Sequence, residues 1–108
     1  MVNQFALYRV TAILVCKGDA MNQIDPFAAV ADPNRRILLE ALRRGPSTVT
    51  SLAGTLPSIS RPAVSQHLKA LLDSRLVAVR PEGTKRIYSI HSEGFDQLNL
   101  WLDQFWNS

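Results

Sequence analysis

The most regular alternation of apolar and polar positions lies in residues 60–72. Apolar side chains recur there at intervals of three and four residues, as on one face of an amphipathic helix. They are Val64, Leu68 and Leu71, with Leu72 beside them. Ser60 can cap the exposed amides. Pro62 lies in the first turn, where backbone N–H groups have no partner within the helix, so a proline loses no hydrogen bond there. The pattern predicts a helix that begins after Ser60 and packs one side on a core.

Two segments with clear helix-start signals precede this one. Asp25-Pro26 and Asp32-Pro33 each combine a capping aspartate with a proline at the first helical position. The first signal predicts a short helix, whose apolar residues are Phe27, Ala28, Val30 and Ala31. The second predicts a helix from Pro33 to Arg44, which Gly45-Pro46 ends. Its predicted inward positions are Ile37, Leu38, Ala41 and Leu42.

A third helix is predicted from about Val49 to Thr55, with Thr48 as its cap. Its inward positions are Val49, Leu52 and Ala53. Residues 56–59 then form the turn into the helix after Ser60. Two short helices joined by a tight turn, the second with a polar outer face, are typical of a helix-turn-helix.

After Leu76 the period of the pattern changes to that of strands. Alternation in residues 77–79 and again in 87–90 predicts two strands, with Pro81-Glu82-Gly83-Thr84 as the turn between them. A hairpin directly after the second helix of a helix-turn-helix forms a wing.

The last predicted helix runs from Ser92 to Trp106, with Ser92 as its cap. Its aromatic and aliphatic surface exceeds what a terminal helix of a small monomer can bury, and such surfaces mark interfaces. We therefore expect this helix and the first one to form a two-fold dimer. The predicted interface residues are Phe27, Val30, Phe95, Leu98, Trp101, Leu102, Phe105 and Trp106. The alternative left open is that both tryptophans complete the core of the monomer.

These elements predict a mainly α fold with a β-hairpin wing (α+β). It is a winged helix-turn-helix with five or so helices, dimerising through its terminal helices. The length of 108 residues suits one domain. We place that domain at residues 21–108, because residues 1–20 differ from the rest in composition. This leader is a packed extra element, a disordered tail or a start-site extension.

Charge is distributed unevenly along the chain, whose formal net charge is +3. Residues 60–86 contain six cations and only two acidic side chains, Asp73 and Glu82. From Ser92 to the end of the chain, the sequence contains acidic residues but no lysine or arginine. Only the first region is therefore expected to lie on a nucleic acid.

The polar side of the 60–72 helix has the chemistry for contact with duplex DNA. Arg61 and Gln66 can bond guanine and adenine bidentately in a major groove, whereas Ser65 and Lys69 suit phosphates. Cations near the hairpin tip can follow a backbone or enter a minor groove. The candidate DNA-binding residues are Arg35, Arg36, Ser60, Arg61, Pro62, Ser65, Gln66, His67, Lys69, Arg80, Lys85 and Arg86.

Some of these candidates allow a second interpretation. Arg35 and Arg36 oppose the dipole in the first turn of their helix, which indicates an external anion or two solvated arginines. His67 either donates to a phosphate or packs internally. The hairpin cations are either phosphate contacts or a solvated tip.

Other classes of protein find little support in the sequence. Cys16 is the only cysteine, which excludes an intrachain disulfide and fits a reducing cytoplasm. The apolar segment 5–16 is interrupted by Arg9 and is too short to span a membrane, so we predict no membrane function. Ser65 and His67 point about 200 degrees apart on a helix, so they cannot act as nucleophile and base. No glycine-rich phosphate loop or paired carboxylates appear, and we predict that the chain is not an enzyme.

Four stretches of the chain, taken in order, resemble the ArsR/SmtB family of bacterial winged helix-turn-helix repressors. They are Ala31-Asp32-Pro33-Asn34-Arg35-Arg36-Ile37-Leu38, Ser60-Arg61-Pro62-Ala63-Val64-Ser65-Gln66-His67-Leu68-Lys69, Leu76-Val77 and Gly83-Thr84-Lys85-Arg86-Ile87-Tyr88-Ser89. The resemblance covers about residues 25–106. It implies a homodimeric repressor that binds an operator, often in its own promoter, and is released by a signal.

The chain differs from metal-sensing members of this family at both positions where those members bind metal. Arsenic and cadmium sensors of the family carry a Cys-Val-Cys-Asp-Leu type of motif where residues 48–52 are Thr-Val-Thr-Ser-Leu, and hydroxyls cannot replace thiolates for soft ions. The family's second site uses histidines and carboxylates of the C-terminal helix. Here that helix has Asp96 and Asp103, preceded by His91 with Glu93 two positions on, which is a poor ligand set for zinc. We expect no metal and no other cofactor.

The sequence thus predicts a cytoplasmic, homodimeric repressor, or autorepressor, that occludes a promoter at a near-palindromic operator of double-stranded DNA. The alternatives are a winged-helix module that binds a protein or RNA, and a metal-responsive repressor with a non-thiolate site at the dimer interface. The effector is unknown, with a small organic ligand or a partner protein as candidates. The sequence specifies neither the operator nor the regulated genes.

Overall fold

A computed structural model of the chain describes residues 24–106. The leader at 1–20, with Cys16, and the predicted domain start at residue 21 lie outside the described residues. Five helices and three strands follow one another in the described part. They are α1 (Pro26–Ala31), α2 (Pro33–Arg43), β1 (Ser47–Thr48), α3 (Val49–Ala53), α4 (Arg61–Asp73), β2 (Val77–Glu82), β3 (Lys85–Ile90) and α5 (Ser92–Asp103). This order confirms the predicted mainly α fold with a β wing.

Both predicted aspartate-proline start signals are confirmed. The Asp25 carboxylate accepts a hydrogen bond from the N–H of Ala28 at 2.8 Å. The Asp32 carboxylate accepts from the N–H groups of Asn34 and Arg35, at 2.8 and 3.2 Å. Each side chain satisfies amides that have no partner within the helix, and this fixes where α1 and α2 begin.

The buried stripe of α2 is rotated from the predicted one. Leu38, Leu39 and Leu42 are buried, so the prediction of an inward Ile37 is wrong, since that side chain is 39% exposed. Leu38 and Leu42 are one turn apart, and Leu39 instead of Ile37 completes the face that packs on the core. The helix ends at Arg43, one residue earlier than predicted.

The core lies where α2, α3 and α4 pack together with the start of β2. Its largest fully buried side chains are Leu38, Leu52, Val64, Leu68, Leu71, Leu76 and Val77. The three apolar positions predicted for α4 are all among them. Because these side chains come from α2, α3, α4 and the start of β2, the same burial holds α3 and α4 in their helix-turn-helix arrangement. The α3 helix itself ends at Ala53, earlier than the predicted Thr55.

The sheet has three antiparallel strands in the order β1-β3-β2, where the sequence predicted only a hairpin. β1 pairs Ser47 with Tyr88 and Thr48 with Ile87. Two residues are too few to show an alternating pattern, so this strand carries no periodic signal.

The turn of the hairpin is shorter than predicted. β2 and β3 pair from Val77 opposite Ile90 to Glu82 opposite Lys85. Pro81 and Glu82 therefore belong to β2, and the prediction that they form the turn is wrong. Since β2 is an edge strand, it tolerates a proline. Gly83 has a φ of +64°, the positive value that two-residue hairpin turns require.

The start and end of α5 also differ from the prediction. Ser92 is the first helical residue and not the cap; the cap is His91, whose Nδ1 accepts from the N–H of Glu93 at 3.2 Å. The N–H of His91 in turn donates to the carbonyl of Leu76 at 3.0 Å. The helix ends at Asp103, and residues 104–106 form turns. Among residues 24–106, no helix has both the length and the apolar character that crossing a bilayer requires.

Candidate nucleic-acid interface

The N-terminus of α4 is built as the sequence predicts. The Ser60 hydroxyl accepts from the N–H of Ala63 at 3.2 Å and caps the helix. Arg61 and Pro62 in the first turn are exposed. The first turn of α4 is therefore an accessible surface on a helix whose opposite side is anchored in the core.

The four side chains predicted to face outward from α4 all do so. Arg61, Ser65, Gln66 and Lys69 are exposed, while Val64, Leu68 and Leu71 on the other side are buried. Within residues 24–106, Ser65 and Gln66 make no side-chain hydrogen bond. Their polar atoms are free to meet the donors and acceptors of a base edge or phosphate. We call the four outward residues the α4 polar face.

Lys69 is held only weakly by its own helix. Its Nζ lies 3.1 Å from an Asp73 carboxylate oxygen one turn later, and the lysine side chain remains 71% exposed. Exposed pairs of this type contribute little to stability, so Lys69 can exchange its carboxylate partner for a phosphate at small cost.

His67 lies beside the α4 polar face and is half-buried. Arg35 Nε donates to His67 Nδ1 at 3.2 Å, which links the first turn of α2 to the middle of α4. The structure thus gives His67 an internal partner, and its contact with a phosphate stays a prediction.

The two arginines in the first turn of α2 lie against the end of α1. Arg35 Nη1 donates to the carbonyl of Ala28 at 3.4 Å, and Arg36 Nη1 donates to those of Val30 and Ala31 at 2.7 and 3.2 Å. Carbonyls at a helix C-terminus favour cations. These carbonyls of α1 stabilise the two arginines, which the dipole of α2 alone would disfavour. The contact of Arg35 and Arg36 with DNA stays a prediction.

The carboxylate of Asp32 lies at the same junction. Partial burial tends to raise its pKa, but the N–H groups of Arg35 and Asn34 outweigh burial and hold the pKa of Asp32 below its ordinary value. Asp32 is therefore an anion at neutral pH and completes a polar junction between α1, α2 and α4.

The predicted wing cations are exposed on both strands of the hairpin. Arg80 Nη1 lies 3.0 Å from a Glu82 carboxylate oxygen on the same strand. Lys85 and Arg86, just after the turn, form no ion pair within residues 24–106. The wing thus presents two uncompensated cations next to its tip.

The segment that resembles the family's thiolate motif has a structural role in this chain. The Thr48 hydroxyl accepts from the N–H of Ser51 at 3.2 Å and caps α3. The Thr50 hydroxyl oxygen accepts from Arg61 Nη2 at 2.6 Å. In the part of the chain from 24 to 106, no group of three or more histidine, cysteine, aspartate or glutamate side chains could hold a metal ion.

Thr50 is a residue that the sequence reasoning missed. In the sequence, residues 48–52 are distinguished only by having no cysteine where the family's metal sensors have two. No periodic or motif signal connects Thr50 with Arg61, because the two are eleven residues apart and meet only through the packing of α3 on α4.

A row of exposed apolar side chains lies on α5 and on the turn that follows it. Trp101 packs edge-on against Phe27 of α1 and against Phe105, with ring centroids 5.3 and 4.8 Å apart. Trp101 and Trp106 remain 42% and 68% exposed, so the alternative that both complete the monomer core is wrong. Leu100, which the sequence analysis did not select, is also exposed.

The other predicted interface residues divide into two groups. Phe95 and Leu98 of α5 and Val30 of α1 are half-buried and pack against the core. Leu102 and Phe105 are exposed. We call the exposed row Trp101, Leu102, Phe105 and Trp106 the α5 apolar surface.

Comparison with known proteins places this geometry in a family. The family model described as bacterial regulatory protein, arsR family, matches residues 32–79, from the cap of α2 into β2. The chain is 51% identical over 78 residues to the HTH-type transcriptional regulator Rv2034 of Mycobacterium tuberculosis, covering 72% of each chain. It is 34% identical to the arsenical resistance operon repressor of Staphylococcus xylosus, covering 68% of this chain and 70% of that one.

Solved structures agree with this relationship. The crystal structure of a possible transcriptional regulator for arsenical resistance has a TM-score of 0.70 and 40% sequence identity, over 77% of this chain and 85% of the other. The chain therefore belongs to the arsR family of bacterial regulatory proteins, which are DNA-binding transcription regulators and not enzymes.

Proposed function

We propose that this chain is a homodimeric repressor that binds a near-palindromic operator, its own promoter included, and occludes the promoter. The observation that carries the proposal is the α4 polar face, whose four side chains are exposed on a helix that is otherwise anchored in the core. A rigid helix with free hydrogen-bonding groups on its outer side fits the major groove of B-DNA.

The residues divide into two roles. Arg61 and Gln66 supply base contacts, because their donor and acceptor patterns match guanine and adenine edges. Ser60, Pro62, Ser65 and Lys69 place the start of α4 against phosphates, and Arg80, Lys85 and Arg86 on the wing hold the flanking backbone. Arg35, Arg36 and His67 complete the proposed phosphate-contacting set at its edge. Phosphate contacts fix the orientation of the protein, and the base contacts distinguish sequences.

The proposed dimer forms through the α5 apolar surface together with α1. An exposed row of four apolar side chains, three of them aromatic, has the composition of an interface core. A two-fold axis along this surface would set the two α4 helices about one DNA turn apart, which is why the operator is expected to be near-palindromic. The proposed setting is the bacterial cytoplasm.

The proposed signal is a small organic ligand or a partner protein. The thiolate site of the family's arsenic and cadmium sensors has no counterpart here, because Thr48 and Thr50 offer hydroxyls that cap α3 and hold Arg61. We therefore do not propose a response to arsenicals for this chain, although some relatives are named for arsenical resistance.

Two single substitutions test the division of roles. Gln66→Ala is expected to cost about 1–3 kcal/mol of binding free energy on the native operator and little on random DNA, because it removes a base contact. Arg86→Ala is expected to weaken binding to both duplexes alike and to reduce the salt slope by about one, because it removes a phosphate contact. Fluorescence anisotropy with the two duplexes over a salt series measures both effects.

Asp96→Ala on α5 is the matched control for a charge change outside the DNA face, and its affinity should equal that of the wild type. Equal losses on native and random DNA for both Gln66→Ala and Arg86→Ala would contradict the assignment of roles.

A further inference from the structure

The hydrogen bond between Thr50 and Arg61 joins the two helices of the helix-turn-helix at their outer surface. Arg61 Nη2 lies 2.6 Å from the Thr50 hydroxyl oxygen, and both residues are exposed. The bond is therefore on the side of the molecule where the α4 polar face lies, and no part of the core requires it. Its removal should leave the packing of the buried Leu52 of α3 and Val64 of α4 intact.

An uncharged hydrogen-bond acceptor orients an arginine without neutralising its charge. A carboxylate at position 50 would pair with Arg61 and cancel its attraction for DNA. A hydroxyl fixes one nitrogen of the guanidinium and leaves the positive charge uncompensated. Within residues 24–106 this is the only hydrogen bond of the Arg61 side chain, so the other N–H groups of its planar fork stay available for a ligand.

Holding an arginine before the ligand arrives reduces the rotamer entropy that binding must overcome. A bidentate contact with guanine requires the guanidinium in one orientation, whereas a phosphate accepts many. A preset orientation therefore favours the base contact over non-specific backbone contacts.

We propose that Thr50 is a positioning residue, which holds the Arg61 guanidinium in the orientation that a base edge requires and thereby raises sequence discrimination. The inference rests on the proposed function, since it assumes that the α4 polar face contacts bases. The helix α3 would then contribute to specificity without itself entering the groove.

The test compares Thr50→Val, which removes the hydroxyl at nearly constant shape, with Thr50→Ser, which keeps it. Ser51→Ala is the matched control, because it deletes a neighbouring exposed hydroxyl of α3 that makes no side-chain hydrogen bond within residues 24–106. Each variant is also made with Arg61→Ala, which gives a double-mutant cycle. Thermal unfolding checks the fold, and Thr50→Ala replaces Thr50→Val if valine lowers Tm.

We expect Thr50→Val to lose roughly three- to tenfold affinity for the native operator, the range for one hydrogen bond, and to change little on a scrambled duplex. Thr50→Ser and Ser51→Ala should bind as the wild type does. In the Arg61→Ala background, Thr50→Val should have no further effect, since the residue acts through Arg61.

The inference is overturned if Thr50→Val binds both duplexes as the wild type does, or if it loses the same affinity for both. It is also overturned if Thr50→Val causes the same loss of affinity in the Arg61→Ala background. An equal loss on both duplexes would make Thr50 a phosphate contact, and the same loss without Arg61 would make it a DNA contact independent of Arg61. If the wild type itself does not prefer the native operator, the proposed function fails and this inference with it. If the wild type prefers the native operator and Thr50→Val binds as the wild type does, this inference alone is overturned.

Discussion

At the scale of single residues, charge at the α1–α2 junction is arranged so that each group serves a neighbouring helix. Asp32 caps α2, while Arg36 donates to the last carbonyls of α1. Arg35 donates both to α1 and to His67 of α4. The sequence showed the cap, because aspartate followed by proline is a local signal. It did not show the arginine contacts, which depend on how α1 and α2 are folded against each other.

The Asp32 cap makes stability depend on pH. Its pKa is below the ordinary value in the folded chain, so its stabilising effect is complete above the unfolded pKa of about 3.9 and is lost as the pH falls through the lower folded value. Asp32→Ala should lose about 0.5–2 kcal/mol at pH 7, the usual cost of deleting a helix cap. Urea unfolding of wild type and variant from neutral to acid pH measures the difference.

That difference should narrow as the pH falls below about 4, because the unfolded wild type is protonated there first and Asp32 of the folded chain at a lower pH. Asp96→Ala, an exposed carboxylate of α5, serves as the control and should stay close to the wild type throughout. A constant difference between wild type and Asp32→Ala at every pH would show that the charge of Asp32 contributes nothing.

At the scale of elements, α5 starts against the turn that follows α4. The N–H of Gly94 donates to the carbonyl of Arg75 at 2.8 Å. A Cβ on Gly94 would lie 2.7 Å from the carbonyl oxygen of Ser74 and 2.8 Å from a methyl group of Leu76. Only glycine lets the helix approach this closely, so Gly94 sets the position of α5 relative to the helix-turn-helix.

Gly94→Ala should therefore destabilise the fold in spite of the better helix propensity of alanine. Overpacking against backbone costs about 1–3 kcal/mol, and we expect that loss in chemical unfolding. Asn99→Ala, an exposed position of the same helix, is the control for the change to alanine and should be neutral or slightly stabilising. A Gly94→Ala protein as stable as the wild type would mean that α5 can shift freely on the turn.

Elements with local signals were predictable and the others were not. Capping residues and prolines located the starts of α1, α2 and α4, and the period of apolar residues gave the buried side of α4. The strand β1 exists only through its pairing with Tyr88 and Ile87 of β3, so nothing within its two residues could predict it. The His91 cap was missed because Ser92 is the commoner capping residue; the structure shows the true start by the bond from the N–H of Glu93 to His91 Nδ1.

At the scale of the whole molecule, the polar and apolar surfaces lie on different elements with different charge. The α4 polar face and the wing present cations, while α5 presents the apolar surface together with Asp96 and Asp103. The sequence predicted this separation from charge and periodicity alone. It could not show how exposed the tryptophans are, because that depends on how much of α5 the core of one chain can cover.

We propose that two copies of this chain recognise one operator. The most direct test is fluorescence anisotropy of the purified protein on its own upstream intergenic DNA and on a scrambled duplex, over a salt series and at stoichiometric concentration. We predict at least about tenfold tighter binding to the native fragment, a steep loss of affinity with salt, and an end point of two chains per duplex. Equal binding to both duplexes would rule out sequence-specific recognition, and saturation at one chain per duplex would rule out binding as a dimer.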